Sequence, residues 1–211
     1  MDATSGKKFK LLGLSGSIRR ESSCKAVLET IQEKLPAEIE LTIFGLETMP
    51  PYNEDLDNDT DAPPPARALK QAVVESDGLI AITPEYNHGM SGILKNAIDW
   101  VSRPGYESVL KNKPVAVMTV SSSPKGGTRA QSQMHDTFLS TVCRITPGRQ
   151  IAIGNPAKKI TGGRVTDENT LLILMRAVDV LIDEICLIQR RPPRLDPAAE
   201  ARRTAGKILG D

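Results

Sequence analysis

The sequence predicts an α/β fold of three layers, in which a five-stranded parallel sheet of order 2-1-3-4-5 lies between two layers of helices. Three observations carry this expectation. Apolar runs of strand length alternate with helical patterns along the chain. The runs are apolar on both faces, as strands of a parallel sheet covered on both sides must be. Small polar loops sit where strands give way to helices. A doubly wound sheet binds its ligands there, at the carboxyl ends of the strands near the switch point between strands one and three.

The elements follow in order. Phe9 to Ser15 reads as the first strand, and Cys24 to Leu35 as a helix closed by Pro36. Ile39 to Phe44 is a second strand, followed by a loop rich in Pro, Asn and Asp from Met49 to Pro65. Ala66 to Glu75 is a short helix, and Gly78 to Thr83 an almost wholly apolar third strand. Gly92 to Ser102 is helical, Pro114 to Val120 a fourth strand, and Thr128 to Val142 helical again. Arg149 to Ile153 reads as the fifth strand and Asp167 to Gln189 as a long last helix. The domain so defined runs over residues 8–189, between an N-terminal tail of 1–7 and a charged tail of 190–211. That tail opens Arg190-Arg191-Pro192-Pro193-Arg194, which reads as a solvated arm and also fits a proline-rich ligand motif.

Composition narrows the function. At 211 residues one domain has an ample core, and a net charge of +1 gives no electrostatic case for nucleic acid. No apolar run is long enough to span a bilayer, and Met1 to Lys10 has no apolar signal-peptide core, which makes the cytoplasm the expected location. The 3 cysteines are scattered with no CxxC, and the 2 histidines have no metal-ligand spacing, so neither a disulfide framework nor a metal centre is expected. Aromatics make up only 3% of the chain, yet Tyr52 and Tyr86 both fall in polar loops, a placement that hints at a site.

The strand-end rule selects three loops. In the first, Leu14-Ser15-Gly16-Ser17-Ile18-Arg19-Arg20-Glu21-Ser22-Ser23, a strand breaks into hydroxyls and arginines and a helix follows. The first N–H groups of a helix have no internal partner and the helix dipole favours an anion there. Ser17, Ser22 and Ser23 with the Arg19 guanidinium would complete a cradle for a terminal monophosphate. The loop has neither GxxxxGK[ST] nor GxGxxG, which argues against nucleoside triphosphates and a dinucleotide fingerprint. Taken alone it also fits a capped helix with solvated arginines. The second loop, Pro84 to Ser91, offers a flat tyrosine face at Tyr86 and, at Asn87, an amide with both donor and acceptor for a heterocycle edge, beside Pro84 and Glu85. His88 there reads as an exposed turn residue, with substrate contact as the alternative. The third, Ser121 to Gly127, supplies hydroxyls, and Lys125 or Arg129 beside it would suit a second phosphate-bearing ligand.

Two stretches, GSIRRESS after the first strand and TPEYNHGMSGILKNAIDW after the third, resemble the NADPH-dependent FMN reductase family of flavodoxin-like quinone, chromate and azo reductases. The likeness covers roughly Lys8 to Gln189 and extends to Met49-Pro50-Pro51-Tyr52-Asn53-Glu54-Asp55 and to the helix start at Gly126-Gly127. It implies noncovalent FMN, with the phosphate on Ser17, Arg19, Ser22 and the helix start beside Ser23. It also implies the ring edge along Pro84, Glu85, Tyr86 and Asn87, with Ser121 near the ring or ribityl chain. NADPH or NADH would be the co-substrate, and a small electron acceptor such as a quinone, an azo compound, chromate or free flavin would follow it. No protein side chain need act as nucleophile, since flavin N5 takes the hydride. A homodimer or homotetramer with the flavin near a subunit contact is implied as well. Many relatives have Asn where this chain has Cys24.

Three other readings compete. A flavodoxin-like electron carrier would bind FMN without oxidising NAD(P)H, but such carriers tend to be strongly acidic. A redox-sensing flavoprotein would bind flavin without turnover. Cys143-Arg144-Ile145-Thr146-Pro147-Gly148-Arg149 also fits a Cys-x5-Arg phosphatase loop, although its order is helix into strand and Pro147 removes a donor.

Overall fold

A computed structural model describes residues 8–58 and 60–190. The expected N-terminal tail and the C-terminal tail beyond Arg190, with its Arg-Pro motif, lie outside the described residues.

Strands β1 (Phe9–Ser15), β2 (Ile39–Phe44), β3 (Gly78–Pro84), β4 (Pro114–Ser121), β5 (Arg144–Ile145) and β6 (Ile151–Gly154) form one sheet, ordered β2-β1-β3-β4-β5 with β6 also beside β4. All of its pairings are parallel. This is the expected flavodoxin-like order. Period-two alternation sends successive side chains of β3 and β4 to opposite faces. Ile80, Ile82, Met118 and Val120 join one apolar cluster. It is completed by α1 (Ser23–Lys34) and α5 (Glu168–Gln189). Leu79, Ala81, Val115 and Val117 join the other cluster, under α2 (Pro64–Glu75), α3 (Gly92–Val101) and α4 (Thr128–Ser140). The run of Leu, Ile and Ala in β3 therefore has a covered face for every residue. The register sets Ser15 beside Ile82 and Pro84 beside Val120, so β1, β3 and β4 release their loops at one edge.

The fifth position differs from the expectation. It is two short strands end to end, and the segment expected from Arg149 begins only at Ile151. Pro147 has no N–H for a ladder, and Gly148 follows with a φ of 124°. A hairpin not expected from the sequence, β7 (Ile160–Thr161) and β8 (Arg164–Val165), closes over α1. Its Gly162-Gly163 turn has φ of 58° and 74°, as a tight two-residue hairpin requires. Val165 N–H donates to Thr30 Oγ1 at 3.0 Å, and Arg164 pairs with Glu29 and Glu33.

The loop from Met49 is fixed to α3. Trp100 Nε1 and Asn96 Nδ2 both donate to Pro50 O, at 2.9 and 2.8 Å, and Tyr52 N–H donates to Asn96 Oδ1 at 2.7 Å. The Tyr52 ring meets Trp100 edge-on at 5.0 Å. Tyr52, which hinted at a site, is thus an anchor for this loop. No helix among the described residues is long and apolar enough to cross a membrane.

Candidate functional site

The three selected loops converge on one cleft of about 190 Å³. Ser17, Arg19, Ser22 and Ser23 enter it from the β1–α1 loop. Pro84, Glu85 and Tyr86 enter from the end of β3, and Ser121 from the end of β4. Asn87 does not line it. Close packing makes the convergence possible. Gly16 N–H donates to Ile82 O at 2.7 Å, and a Cβ on Gly16 would stand 2.6 Å from Ser91 Oγ and 2.8 Å from Thr83 Oγ1. Any side chain there would force the β1–α1 and β3–α3 loops apart.

The start of α1 leaves its first N–H groups open and carries no acidic residue. Ser22 is the N-cap, and its Oγ accepts from Lys25 N–H at 3.2 Å. Ser23 and Cys24, first in the helix, have N–H groups with no carbonyl partner within it. No carboxylate lies in the first turn. The exposed Arg19 guanidinium donates to Glu21 O at 2.6 Å, a bond within its own loop that a phosphate can replace. Cys24 is buried at the cleft floor, and burial pushes its thiol up to about 12, against the pull of the Ser22 hydrogen bond and the Arg19 charge. It stays neutral and adds no negative charge.

The start of α4 differs. Its N-cap is Gly127, which has no side chain to cap with. Glu85 Oε2 does the capping from β3–α3, accepting from Arg129 N–H at 3.1 Å and Ala130 N–H at 3.0 Å. The sequence suggested Glu85 only as part of a ring-edge wall; its carboxylate ties two of the three loops together. Gln133 adds a second tie, its Oε1 accepting from Met90 N–H at 2.6 Å. Between these ties Tyr86, Asn87, His88 and Gly89 form a tight turn. Tyr86 and Gly89 exchange both backbone bonds at 3.0 Å, and Asn87 and His88 take φ of 51° and 65°. Asn87 and His88 sit exposed at its tip, and Tyr86 is 54% exposed at the cleft rim. Lys125 and Arg129 are exposed and do not line the cleft.

Ser122, whose loop was selected for its hydroxyls, and Pro156, outside the three loops, also line the cleft. Pro156 follows β6, whose end lies beside the end of β4, with Ser121 opposite Gly154. The strand-end rule was applied only to strands one, three and four; the end of the fifth strand, expected at Ile153 and found at Gly154, lies at the same edge. The phosphatase reading fails on the structure. Cys143 lies between α4 and β5, buried, and burial pushes its thiol up to about 11. It has no thiolate and no helix start to serve.

A sequence model of the family described as NADPH-dependent FMN reductase matches residues 9–158. The chain is 34% identical over 174 residues to a 2-hydroxy-1,4-benzoquinone reductase of Burkholderia sp, covering 81% of this chain and 93% of that protein. It is 30% identical over 168 residues to a quinone reductase of Escherichia coli K12, covering 78% and 89%. Among solved structures it resembles the flavoenzyme NAD(P)H:(acceptor) oxidoreductase FerB from Paracoccus denitrificans, with a TM-score of 0.73, 32% identity, and 84% and 97% of the two chains covered.

Proposed function

The chain belongs to the NADPH-dependent FMN reductase family, and from that premise we propose that its cleft binds FMN noncovalently and that its natural electron acceptor is a quinone. It is an oxidoreductase that uses FMN and NAD(P)H. The quinone reductases among its relatives support the choice of acceptor. The observation that carries the binding reading is the convergence on one cleft of a carboxylate-free helix start, hydroxyls and a guanidinium.

The residues present fit the cofactor. Ser17, Ser22 and Ser23 with the α1 N–H groups would hold the phosphate, and Arg19 would neutralise it. Each charge-assisted contact of this kind contributes about 1.5–3 kcal/mol. Pro84, the Glu85 backbone and Tyr86 would border the ring, with Ser121 toward the ribityl chain. Asn87 would reach the ring only from the turn tip. FMN supplies hydride acceptance and donation at N5. The chain orients the ring by fixing both loops that border it, through Glu85 and Gln133 on α4. The cleft is smaller than the roughly 300–1,000 Å³ typical of enclosing pockets, so part of the cofactor would project beyond it. That supports a dimer or tetramer in which a second copy covers the ring. NAD(P)H and acceptor would take the same open face in turn. Three free cysteines agree with a reducing, cytoplasmic setting.

The test is direct. Purified protein should be yellow or turn so with added FMN, lose that colour with NADPH under anaerobic conditions, and regain it with a benzoquinone. Protein that stays colourless with FMN would overturn the binding reading. Flavin reduced by NADPH but indifferent to quinones would overturn the acceptor.

A further inference from the structure

A second cavity, of about 410 Å³, lies at the opposite side of β4 from β3, where the fifth strand is broken. β4 pairs with β5 at Pro114 and Val115 and with β6 from Met118 onward, which leaves Ala116 and Val117, paired with β3 on their other side, without a ladder partner on this one. Gln131 fills the missing place: its Nε2 donates to Val117 O at 3.2 Å. That bond fixes the amide, and the Gln131 Oε1 is left buried with no hydrogen-bond partner, in a residue only 1% exposed. A buried acceptor of this kind is costly unless a donor reaches it.

The walls come from two facing helices. Gln131 and His135, four residues apart, share one face of α4. Ile173, Arg176, Ala177 and Val180 share one face of α5. Ile145 and Ile151 add apolar floor from either side of the break, and Arg149 rises from the loop between them. Arg149 and Arg176 are exposed, so their cations stand at the mouth. None of these residues lines the cleft assigned to FMN.

We propose that this cavity is a second ligand site that takes a small aromatic hydroxy acid, its hydroxyl donating to Gln131 Oε1 and its carboxylate held by Arg149 and Arg176. The volume lies within the range of small-molecule sites, and apolar walls with a few fixed polar groups are their usual make-up. The orphaned acceptor selects a donor at the inner end, and the two guanidinium groups select an anion at the outer end.

The chain's two histidines make the test clean, because His135 lines this cavity and His88 sits on the turn beside the other site. FMN-loaded protein is titrated with 4-hydroxybenzoate while the imidazole NMR signals are followed. The signals of His135 should move with saturation in the millimolar range or tighter, and those of His88 should not. Benzoate, which lacks the donor, should bind about 10-fold more weakly. The double variant Arg149→Glu/Arg176→Glu, at exposed positions, should bind at least about 10-fold more weakly while FMN affinity is kept. Movement of His88 alone, or no movement of His135 at 10-fold higher concentration, would overturn the proposal. So would equal affinity for benzoate, or His135 signals that move with protein concentration rather than with ligand, which would mean that a second copy covers the cavity.

Discussion

Helices α1 and α4 both begin at the carboxyl edge of the sheet, and they settle their unpaired N–H groups in opposite ways. At α4 the fold provides its own anion: the Glu85 carboxylate, from a loop 44 residues earlier, accepts from Arg129 and Ala130. At α1 no carboxylate enters the first turn, and Arg19 and three serines stand around it. The two sites share one physics, a helix dipole and donors without partners. What separates them is whether the charge that satisfies them is built in. A helix start closed by the chain's own carboxylate braces the architecture, and one left open is where a ligand's charge belongs.

The comparison breaks if α1 does not depend on a ligand anion. Arg19→Ala should raise the Kd for FMN by about 10- to 150-fold, or about 1.4–3 kcal/mol, by titration of flavin fluorescence. The flavin-free protein should keep its stability within about 0.5 kcal/mol, because Arg19 is exposed and bonds only within its own loop. Unchanged FMN affinity would remove Arg19 from the site. The α4 start should behave in the reverse sense. Glu85→Ala strips two bonds from a helix that has no cap of its own and should cost flavin-free protein about 1–2 kcal/mol in urea unfolding. If its stability is unaffected, the bracing role assigned to Glu85 is wrong.

Cys24 sharpens the contrast from inside α1. A thiol at a helix start usually ionises more readily, yet here burial wins and pushes it from 9.0 up to about 12. Between those values the unfolded chain has released a proton that the folded chain retains, so stability falls as pH rises through the window. Cys24→Ala should remove that part of the fall, so the wild-type deficit should grow by about 1 kcal/mol on going from pH 8 to pH 10. A deficit that does not grow would mean that Cys24 ionises in the folded protein, and that α1 does hold a charge of its own.

How far the sequence reached follows from where each signal lies. β1, β3 and β4 were legible because each is a run of buried residues with one neighbour per face. The hydroxyls and guanidinium of the β1–α1 loop stood out in the sequence but fitted a plain capped helix as well; what the structure adds is that they enter one cleft with the ends of β3 and β4. The break in the fifth strand was not legible, since Arg144–Ile145 and Ile151–Gly154 are too short to show a period, and their place is set by pairing with β4. The same shortness hid the β7–β8 hairpin, although Gly162-Gly163 marked its turn. Glu85 was seen as a wall and not as a cap, because the helix it caps lies far along the chain. Asn87 was matched to a flavin edge by its chemistry, whereas its backbone is spent on a turn whose φ few side chains tolerate.

The smallest effect belongs to the side chain of His88, one residue further along that turn. Its Nδ1 lies 3.8 Å from Glu85 Oε1, and its side chain is 71% exposed. An exposed contact at that distance contributes little, since water screens it and a free side chain must be held in place to make it. Its backbone is a different matter, because φ of 65° is strained for most residues and tolerated by Asn. His88→Asn should therefore leave both stability and FMN affinity within about 0.5 kcal/mol of wild type, whereas His88→Val should destabilise the turn by about 1 kcal/mol or more. If the asparagine variant instead lost stability on the scale of Glu85→Ala, the histidine would be part of the brace on α4, and the built-in anion would be a pair and not a single carboxylate.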